Sequence, residues 1–171
     1  MKHALIGLAL GLASCAAVPG PTTPTTPPQA LVPTLSSAAP GTTSRPKPKD
    51  AVALAEAARQ GTTTKIVRLT AENDPNNRVG RPGGPTSAAI LYDSGAACES
   101  IGTLCGATIE VYTTPAEAQA RSDYIIAQLK ANPSFGLEYH TVVGAALLRV
   151  SGVIKPGDAQ AYATAFTTAA G

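Results

Sequence analysis

The stretch Ala107-Thr-Ile-Glu-Val-Tyr-Thr-Thr-Pro-Ala-Glu117 contains the two local patterns that decide the fold. Its first half alternates apolar and polar side chains, as a half-buried strand does. We therefore predict a strand over 107–112, with Ile109 and Val111 facing inward and Glu110 facing outward.

The second half of this stretch predicts the start of a helix. Thr114 stands three residues before Glu117, with Pro115 directly after the threonine. This is the spacing of a capping box with proline at the first helical position. We expect the helix to run over 115–131 and to end at Asn132, which precedes a proline.

Spacing within this helix predicts which of its faces is buried. Ala118, Ile125 and Leu129 fall on one side and are expected to face the core. Glu117 and Arg121 stand four residues apart on the other side, where we expect an exposed ion pair.

The remaining patterns extend this unit to both sides. We predict helices over 51–60 and from Pro156 onward, strands over 65–70 and 87–93, and a hairpin of strands over 138–143 and 146–151 that turns at Gly144. Most consecutive strands are joined by short loops. The prediction is an α+β domain over 51–171: an antiparallel sheet of about five strands, with helices packed on one face, preceded by a disordered tether.

The chain begins with the pattern of an export signal. A basic start is followed by an apolar run over 4–13, which is too short to cross a bilayer. The tetrad Leu12-Ala13-Ser14-Cys15 resembles the bacterial lipobox. The resemblance implies that 1–14 is a lipoprotein signal peptide and that Cys15 is lipidated on sulfur and begins the mature chain. The alternative is an ordinary secretory signal followed by an unrelated cysteine.

The segment over 15–50 has the composition of a linker. Nine of the fifteen prolines and seven threonines lie in it, with no apolar period. Such a sequence cannot form a packed core and favours extended polyproline conformations. We expect a lipid-anchored Pro/Thr-rich spacer; the alternative is a proline-rich ligand for another protein. Threonine-rich and proline-rich stretches are also sites of O-glycosylation.

The charge of the chain excludes one class of function. The 171 residues include 13 basic and 11 acidic side chains, for a net charge of +2. This is too small for a protein held by many nucleic-acid phosphates, so we expect no nucleic-acid partner. Three cysteines and two histidines leave little room for a zinc cluster.

Two cysteines remain once Cys15 is assigned to lipid. Cys98 and Cys105 bracket six residues between two predicted strands. Exported proteins mature where disulfides persist, so we expect these two to form a structural disulfide. A redox-active pair typically has only two residues between its cysteines.

The loop over 72–85 is the best candidate for a functional surface because it is long and rich in Asn, Gly and Pro. Arginines could hold a carboxylate or a phosphate, and acidic and amide oxygens could hold Ca²⁺. The spacing is not that of an EF-hand. The alternative is an ordered surface loop with local Asx turns. Its candidate binding residues are Glu72, Asn73, Asp74, Asn76, Asn77, Arg78 and Arg81.

No catalytic residues are predicted. His140 is the only histidine of the domain, and the alternation around it favours a position at the surface or the rim of the sheet. A Gly-x-Ser-x-Gly elbow and phosphate-binding glycine motifs are absent from the sequence. Paired carboxylates for glycoside cleavage are an open alternative if they converge in the fold. The candidates are Glu72, Asp74, Asp93 and Glu110.

Several short motifs, over about residues 66–170, resemble a group of small lipoproteins from high-GC Gram-positive bacteria (actinobacteria) and their phages and prophages. They are Asn73-Asp74-Pro75-Asn76-Asn77, Gly80-Arg81-Pro82-Gly83-Gly84, 106–112, 118–125, Glu138-Tyr139 and 147–152. The group has no established activity. The resemblance implies a lipid-anchored protein of the cell envelope without a cofactor, and it supplies no catalytic residues.

Two functions follow as expectations. The first is a non-enzymatic binding module on the outer face of the cell membrane, with an envelope or phage protein as its partner. In a phage-related version it would exclude superinfecting phage. The second is a small hydrolase directed at the cell wall.

Overall fold

A computed structural model describes residues 49–171. The predicted signal peptide over 1–14, Cys15 and nearly all of the linker over 15–50 lie outside the described residues. In chain order, the elements are α1 (Ala51–Ala58), β1 (Thr63–Leu69), β2 (Ser87–Asp93), β3 (Gly106–Val111), α2 (Pro115–Ala131), β4 (Glu138–Val143), β5 (Ala146–Ser151) and α3 (Pro156–Ala170). Short 3₁₀ turns over Thr103–Cys105 and Pro133–Phe135 precede β3 and β4.

The five strands form one antiparallel sheet in the order β1-β2-β3-β5-β4. This confirms the predicted α+β class. After β3 the chain passes through α2 to the edge strand β4 and returns as β5, which lies between β3 and β4. The register places His140 opposite Arg149 and Glu110 opposite Leu147. Polar side chains from three strands therefore meet on one face of the sheet.

Helices α1 and α3 cover the first face of the sheet. Tyr162 and Phe166 of α3, which stand four residues apart on one side of the helix, are fully buried there. The Tyr162 hydroxyl donates to Asp93 Oδ2 at 2.8 Å, so the phenol and the carboxylate satisfy each other in the core. The apolar core lies between these two helices and alternate residues of the strands: Ala89, Leu91, Ile109, Val111, Leu148 and Val150.

Helix α2 covers the opposite face, so the prediction of helices on one face is correct for α1 and α3 and wrong for α2. Ala118 packs there with Tyr112 and Leu147. Every residue of β3 and β5 is buried, because both of their faces are covered. The prediction that Glu110 faces outward is therefore wrong, since it is only 5% exposed.

The rest of this second face is covered by loops. Val79 of the 72–85 loop packs with Leu69, Ile90 and Cys105. The predicted disulfide between Cys98 and Cys105 is confirmed, with the two Cα atoms 4.5 Å apart. Within residues 49–171, no helix is long and apolar enough to span a bilayer.

Candidate functional site

A buried polar cluster lies between α2 and the sheet. Its members are Glu110 in β3, Tyr112 directly after β3, Arg121 and Ser122 in α2, Glu138 and His140 in β4, and Arg149 in β5. Arg149 is at its centre. Its Nε and Nη2 donate to the two carboxylate oxygens of Glu138, each at 2.8 Å, and its Nη1 donates to Glu110 Oε1 at 3.0 Å.

The cluster stabilises the Glu138 carboxylate as an anion. Burial raises the pKa of Glu138, but hydrogen bonds from His140 and Arg149 outweigh it and lower that pKa to about 2. Tyr112 donates to Glu110 Oε2 at 2.6 Å. Burial, together with the neighbouring Glu110 carboxylate, raises the pKa of Tyr112 far above its ordinary value. At neutral pH the carboxylate of Glu138 is ionised and the phenol of Tyr112 keeps its proton.

Ser122, His140 and Glu138 form a chain of hydrogen bonds with the residue types of a serine-hydrolase triad but with the two imidazole nitrogens exchanged, since a triad serine bonds Nε2 and the carboxylate bonds Nδ1. Ser122 Oγ lies 2.9 Å from His140 Nδ1, and His140 Nε2 lies 2.9 Å from Glu138 Oε2. Ser122 is 3% exposed and the His140 side chain 5%. The expectation that His140 lies at the surface is therefore wrong, because α2 covers it; β4, as the edge strand, does place it at the rim of the sheet. A nucleophile must reach its substrate, and this hydroxyl is enclosed between helix and sheet.

Asp74 fixes the conformation of the 72–85 loop. Its Oδ1 accepts from the Asn76 amide at 2.9 Å, and its Oδ2 accepts from the amides of Arg78 at 2.6 Å and Val79 at 2.9 Å. Burial raises the pKa of Asp74, but these hydrogen bonds outweigh it and hold the pKa below its ordinary value. The loop is thus an ordered surface loop organised by an Asx turn.

Other predicted residues of the loop also bond within it. Asn73 Oδ1 accepts from the Thr70 amide at 2.7 Å. Asn77 has a positive φ of 48° and accepts from Arg81 Nη2 at 3.2 Å. The candidate oxygens are therefore used by the loop's own donors rather than gathered around one point. Glu72 and Asn76 are exposed. In the described part of the chain, no group of three or more His, Cys, Asp or Glu could hold a metal ion.

A cleft separates this loop from α2. It has a volume of about 250 Å³ and is lined by Arg78, Gly83, Glu117, Ala120, Arg121 and Tyr124. We call it the Arg78–Arg121 cleft. A second, smaller cavity of about 20 Å³ shares both arginines and is also lined by Asp74, Glu110 and Arg149. This cavity has room for about one water molecule. Of the seven predicted loop residues, the structure brings Arg78 to the cleft and leaves Arg81 outside its lining.

Arg121 does not form the predicted exposed pair with Glu117. Glu117 instead completes the capping box, accepting from the Thr114 amide at 2.9 Å. Arg121 turns towards the sheet, where its Nε lies 3.4 Å from Glu110 Oε2, and its side chain is 10% exposed. A signal was present in the sequence. Arg121 stands three residues after Ala118 and four before Ile125, so it falls on the buried stripe of the helix.

The four carboxylates considered for glycoside cleavage do not all converge: only Asp74 and Glu110 line the same cavity, which has a volume of about 20 Å³. Asp93 bonds to Tyr162 on the face covered by α3, whereas Glu110 lies on the opposite face, under α2. Asp74 is bonded by three backbone amides, and Glu72 is exposed. The cavity that Asp74 and Glu110 share has room for about one water molecule and not for a sugar ring, and both carboxylates already accept hydrogen bonds, so this geometry does not favour the paired-carboxylate hypothesis.

No protein-family model, no curated protein and no solved structure matches the chain significantly.

Proposed function

We propose that this protein is a lipid-anchored, extracytoplasmic lipoprotein whose domain is a non-enzymatic binding module. The observation that carries the binding role is the Arg78–Arg121 cleft, where a loop and a helix bring two arginines beside an exposed aromatic ring. The tetrad ending in Cys15 supports the anchor and the outer face of the cell membrane as location. No cofactor is part of the proposal.

The cleft has the composition of a recognition surface. Arginine and tyrosine are enriched among the residues that contribute most to protein interfaces. Tyr124 is 57% exposed, and the Arg121 guanidinium lies 5.8 Å from the centre of its ring. The opposite wall is a loop whose conformation is fixed by hydrogen bonds from Asp74. Little conformational entropy is lost when a partner binds to walls that are already ordered.

The proposed partner is a protein of the envelope or of a phage. In the phage-related version, the domain contacts an incoming tail protein or an injection channel and so excludes superinfecting phage. The resemblance to lipoproteins of actinobacteria and their phages and prophages supports this version. A spacer of the length of 15–50 would give the domain reach beyond the membrane surface.

Site-specific photocrosslinking in living cells tests the binding role. A photoreactive phenylalanine analogue replaces Tyr124 in the full-length chain. A matched control carries it at Gln160, an exposed residue of α3 on the other face of the sheet. We expect a discrete protein adduct from position 124 and none from position 160. Identical adducts from both positions, or none from position 124, would contradict the proposed surface.

The wall-directed hydrolase remains a second candidate because Ser122, His140 and Glu138 are hydrogen-bonded in series. It requires α2 to move and expose the Ser122 hydroxyl. Purified cell wall incubated with the protein tests it, with Ser122→Ala as the decisive variant and Glu72→Gln and Asp74→Asn as tests of the carboxylates. We expect no turnover by the unmodified chain. Turnover that Ser122→Ala abolishes would establish the hydrolase instead.

A further inference from the structure

We propose that the Arg78–Arg121 cleft binds a carboxylate group, such as an acidic side chain of a partner protein, next to an apolar surface that packs on Tyr124. This inference rests on the proposed binding function and names the chemistry that the cleft recognises. The inference is based on two arginine N–H donors that are buried without a hydrogen-bond acceptor among residues 49–171.

Arg121 provides the first of these donors. Its side chain is nine-tenths buried, and its Nε makes no hydrogen bond to any described residue. Glu110 Oε2 lies 3.4 Å away but also accepts from Tyr112 at 2.6 Å. A buried donor without an acceptor is costly, and natural proteins rarely keep one without a use.

Arg78 provides the second donor, from a different element. Its Nη2 donates to the Gly83 carbonyl at 2.7 Å, which fixes the guanidinium against the loop. Its Nε is buried and, like that of Arg121, has no acceptor among residues 49–171. Both arginines line the cleft and the smaller cavity that shares them. Two guanidinium groups beside the same space are a common arrangement for holding a carboxylate.

The acidic groups nearby already have donors of their own. Asp74 is bonded by three backbone amides. Glu117 accepts from the amide and the hydroxyl of Thr114 in the capping box. Glu110 accepts from Arg149 and Tyr112. The Nε–H groups of Arg78 and Arg121 therefore have no hydrogen-bond acceptor to lose when a ligand carboxylate binds.

The charge around the cleft favours a single negative charge over two. Three arginines (Arg78, Arg121 and Arg149) stand against three carboxylates (Asp74, Glu110 and Glu117) in the linings of the cleft and the cavity. A nearly neutral site gains little from a dianionic phosphate, which the three carboxylates would repel. A carboxylate carries one charge and offers two acceptor oxygens.

Tyr124 supplies the apolar part of the site. More than half of this residue is exposed, on the same side of α2 as Arg121, which lies over its ring. An apolar group beside the carboxylate can pack on the part of the ring that the arginine leaves open. The ligand class is thus a carboxylate with an apolar neighbour.

Arginine Nε–H signals in ¹H–¹⁵N NMR spectra of the full-length chain in detergent measure this binding directly. The probe is acetyl-glutamate-N-methylamide, compared with acetyl-glutamine-N-methylamide and with inorganic phosphate at constant ionic strength. We expect saturable shifts of the Arg78 and Arg121 signals with the glutamate probe only. Equal shifts with the glutamine probe, or saturation by phosphate alone, would overturn the carboxylate assignment.

Three variants make the test specific. Arg121→Gln is expected to weaken binding about tenfold, because a charged hydrogen bond is lost. Arg81→Gln, which removes an arginine from the same loop but outside the cleft, should change it less than about twofold. Tyr124→Ala replaces an exposed ring and leaves the polar cluster intact, so it tests the cleft if Arg121→Gln does not fold. Unchanged binding by Tyr124→Ala and a folded Arg121→Gln would refute the site.

The two experiments separate failure of the carboxylate site from failure of the proposed binding function. If position 124 crosslinks to a partner but no carboxylate probe moves the arginine signals, the binding module stands and the ligand chemistry is wrong. If probes bind but no partner is crosslinked, the carboxylate site stands and the protein-interaction role is wrong.

Discussion

Single residues set the geometry of the site more than the length of the loop does. The Asp74 carboxylate accepts hydrogen bonds from three backbone amides of the loop. Gly84, which has no side chain, allows its backbone to pass close to that of Arg78. The Gly84 amide donates to the Arg81 carbonyl at 2.9 Å, close to the Arg78 carbonyl. The richness of the loop in Asn, Gly and Pro therefore reflects its internal bonding first, and Arg78 is the residue through which it contributes to the cleft.

The first prediction concerns Gly84. A Cβ at this position would overlap the Arg78 carbonyl oxygen, so Gly84→Ala must displace the loop. We expect the free energy of unfolding to fall by about 1–3 kcal/mol, as for other overpacked positions. Gly157→Ala in α3 is the control, because a Cβ there meets nothing within 4 Å. It should be neutral or stabilising by up to about 1 kcal/mol. Urea denaturation of both variants measures the difference, and equal stabilities would contradict the loop geometry.

The second prediction concerns Glu138 and pH. Its folded-state pKa of about 2 lies below the ordinary value of 4.5, so the unfolded chain takes up the proton first. The stabilisation is complete above pH 4.5 and is lost as the pH falls through 2. Protonation of Glu138 should therefore lower the free energy of unfolding by about 3 kcal/mol.

The free energy of unfolding, measured from neutral pH down to pH 2, tests this prediction. Glu138→Gln should lower stability at neutral pH, because Arg149 loses the carboxylate of Glu138. It should also flatten the fall in stability towards low pH, because the variant has no carboxylate to protonate at position 138. Glu56→Gln, at an exposed position of α1, should leave the decline unchanged. An unchanged decline in Glu138→Gln would show that other groups cause it.

At the scale of elements, sequence patterns located every helix and strand to within about two residues. Caps, turns and alternation are local, so they can be read without the fold. The face that an element buries is not local. Glu110 and His140 are buried because α2 covers a second face of β3, β4 and β5, and no pattern within those strands reveals the helix that covers them. The same cause hid the polar cluster, although the position of Arg121 on the stripe of Ala118 and Ile125 already indicated that its side chain is buried.

The capping box of α2 gives the third prediction. Thr114 Oγ1 accepts from the Glu117 amide, and the Glu117 carboxylate accepts from the Thr114 amide. Thr114→Ala should lower the free energy of unfolding by about 1 kcal/mol. Thr113→Ala is the matched control, since Thr113 is exposed and lies outside the box. Thermal unfolding that shows the same loss in both variants would rule out a capping contribution.

The disulfide gives the fourth prediction. It closes a loop with a sequence separation of 7. On the chain-entropy relation its removal costs about 2.5 kcal/mol. Cys98→Ala measures the contribution of the disulfide alone, because Cys98 is exposed and its side chain packs little. Cys105→Ala should lower the free energy of unfolding further, because Cys105 is fully buried beside Ile90. Denaturation with and without reductant checks both. A Cys98→Ala chain as stable as the oxidised parent would contradict the assignment.

At the scale of the whole molecule, we propose a membrane anchor and a spacer that hold a domain bearing the Arg78–Arg121 cleft. The sequence predicted the class of the domain and its disulfide. It predicted one of the two arginines of the cleft as a candidate. The second arginine and Tyr124 required the packing of α2 against the sheet to be known. The anchor rests on the four residues ending at Cys15.

We propose that the binding domain is held at the membrane through Cys15. The mass of the N-terminal peptide, from protein isolated in the membrane fraction, shows whether it is. We predict that the mature chain begins at Cys15 and carries a diacylglycerol on its sulfur, and that Cys15→Ala moves the protein out of the membrane fraction. A mature chain with an unmodified Cys15, or a Cys15→Ala protein that stays with the membrane, would contradict the account.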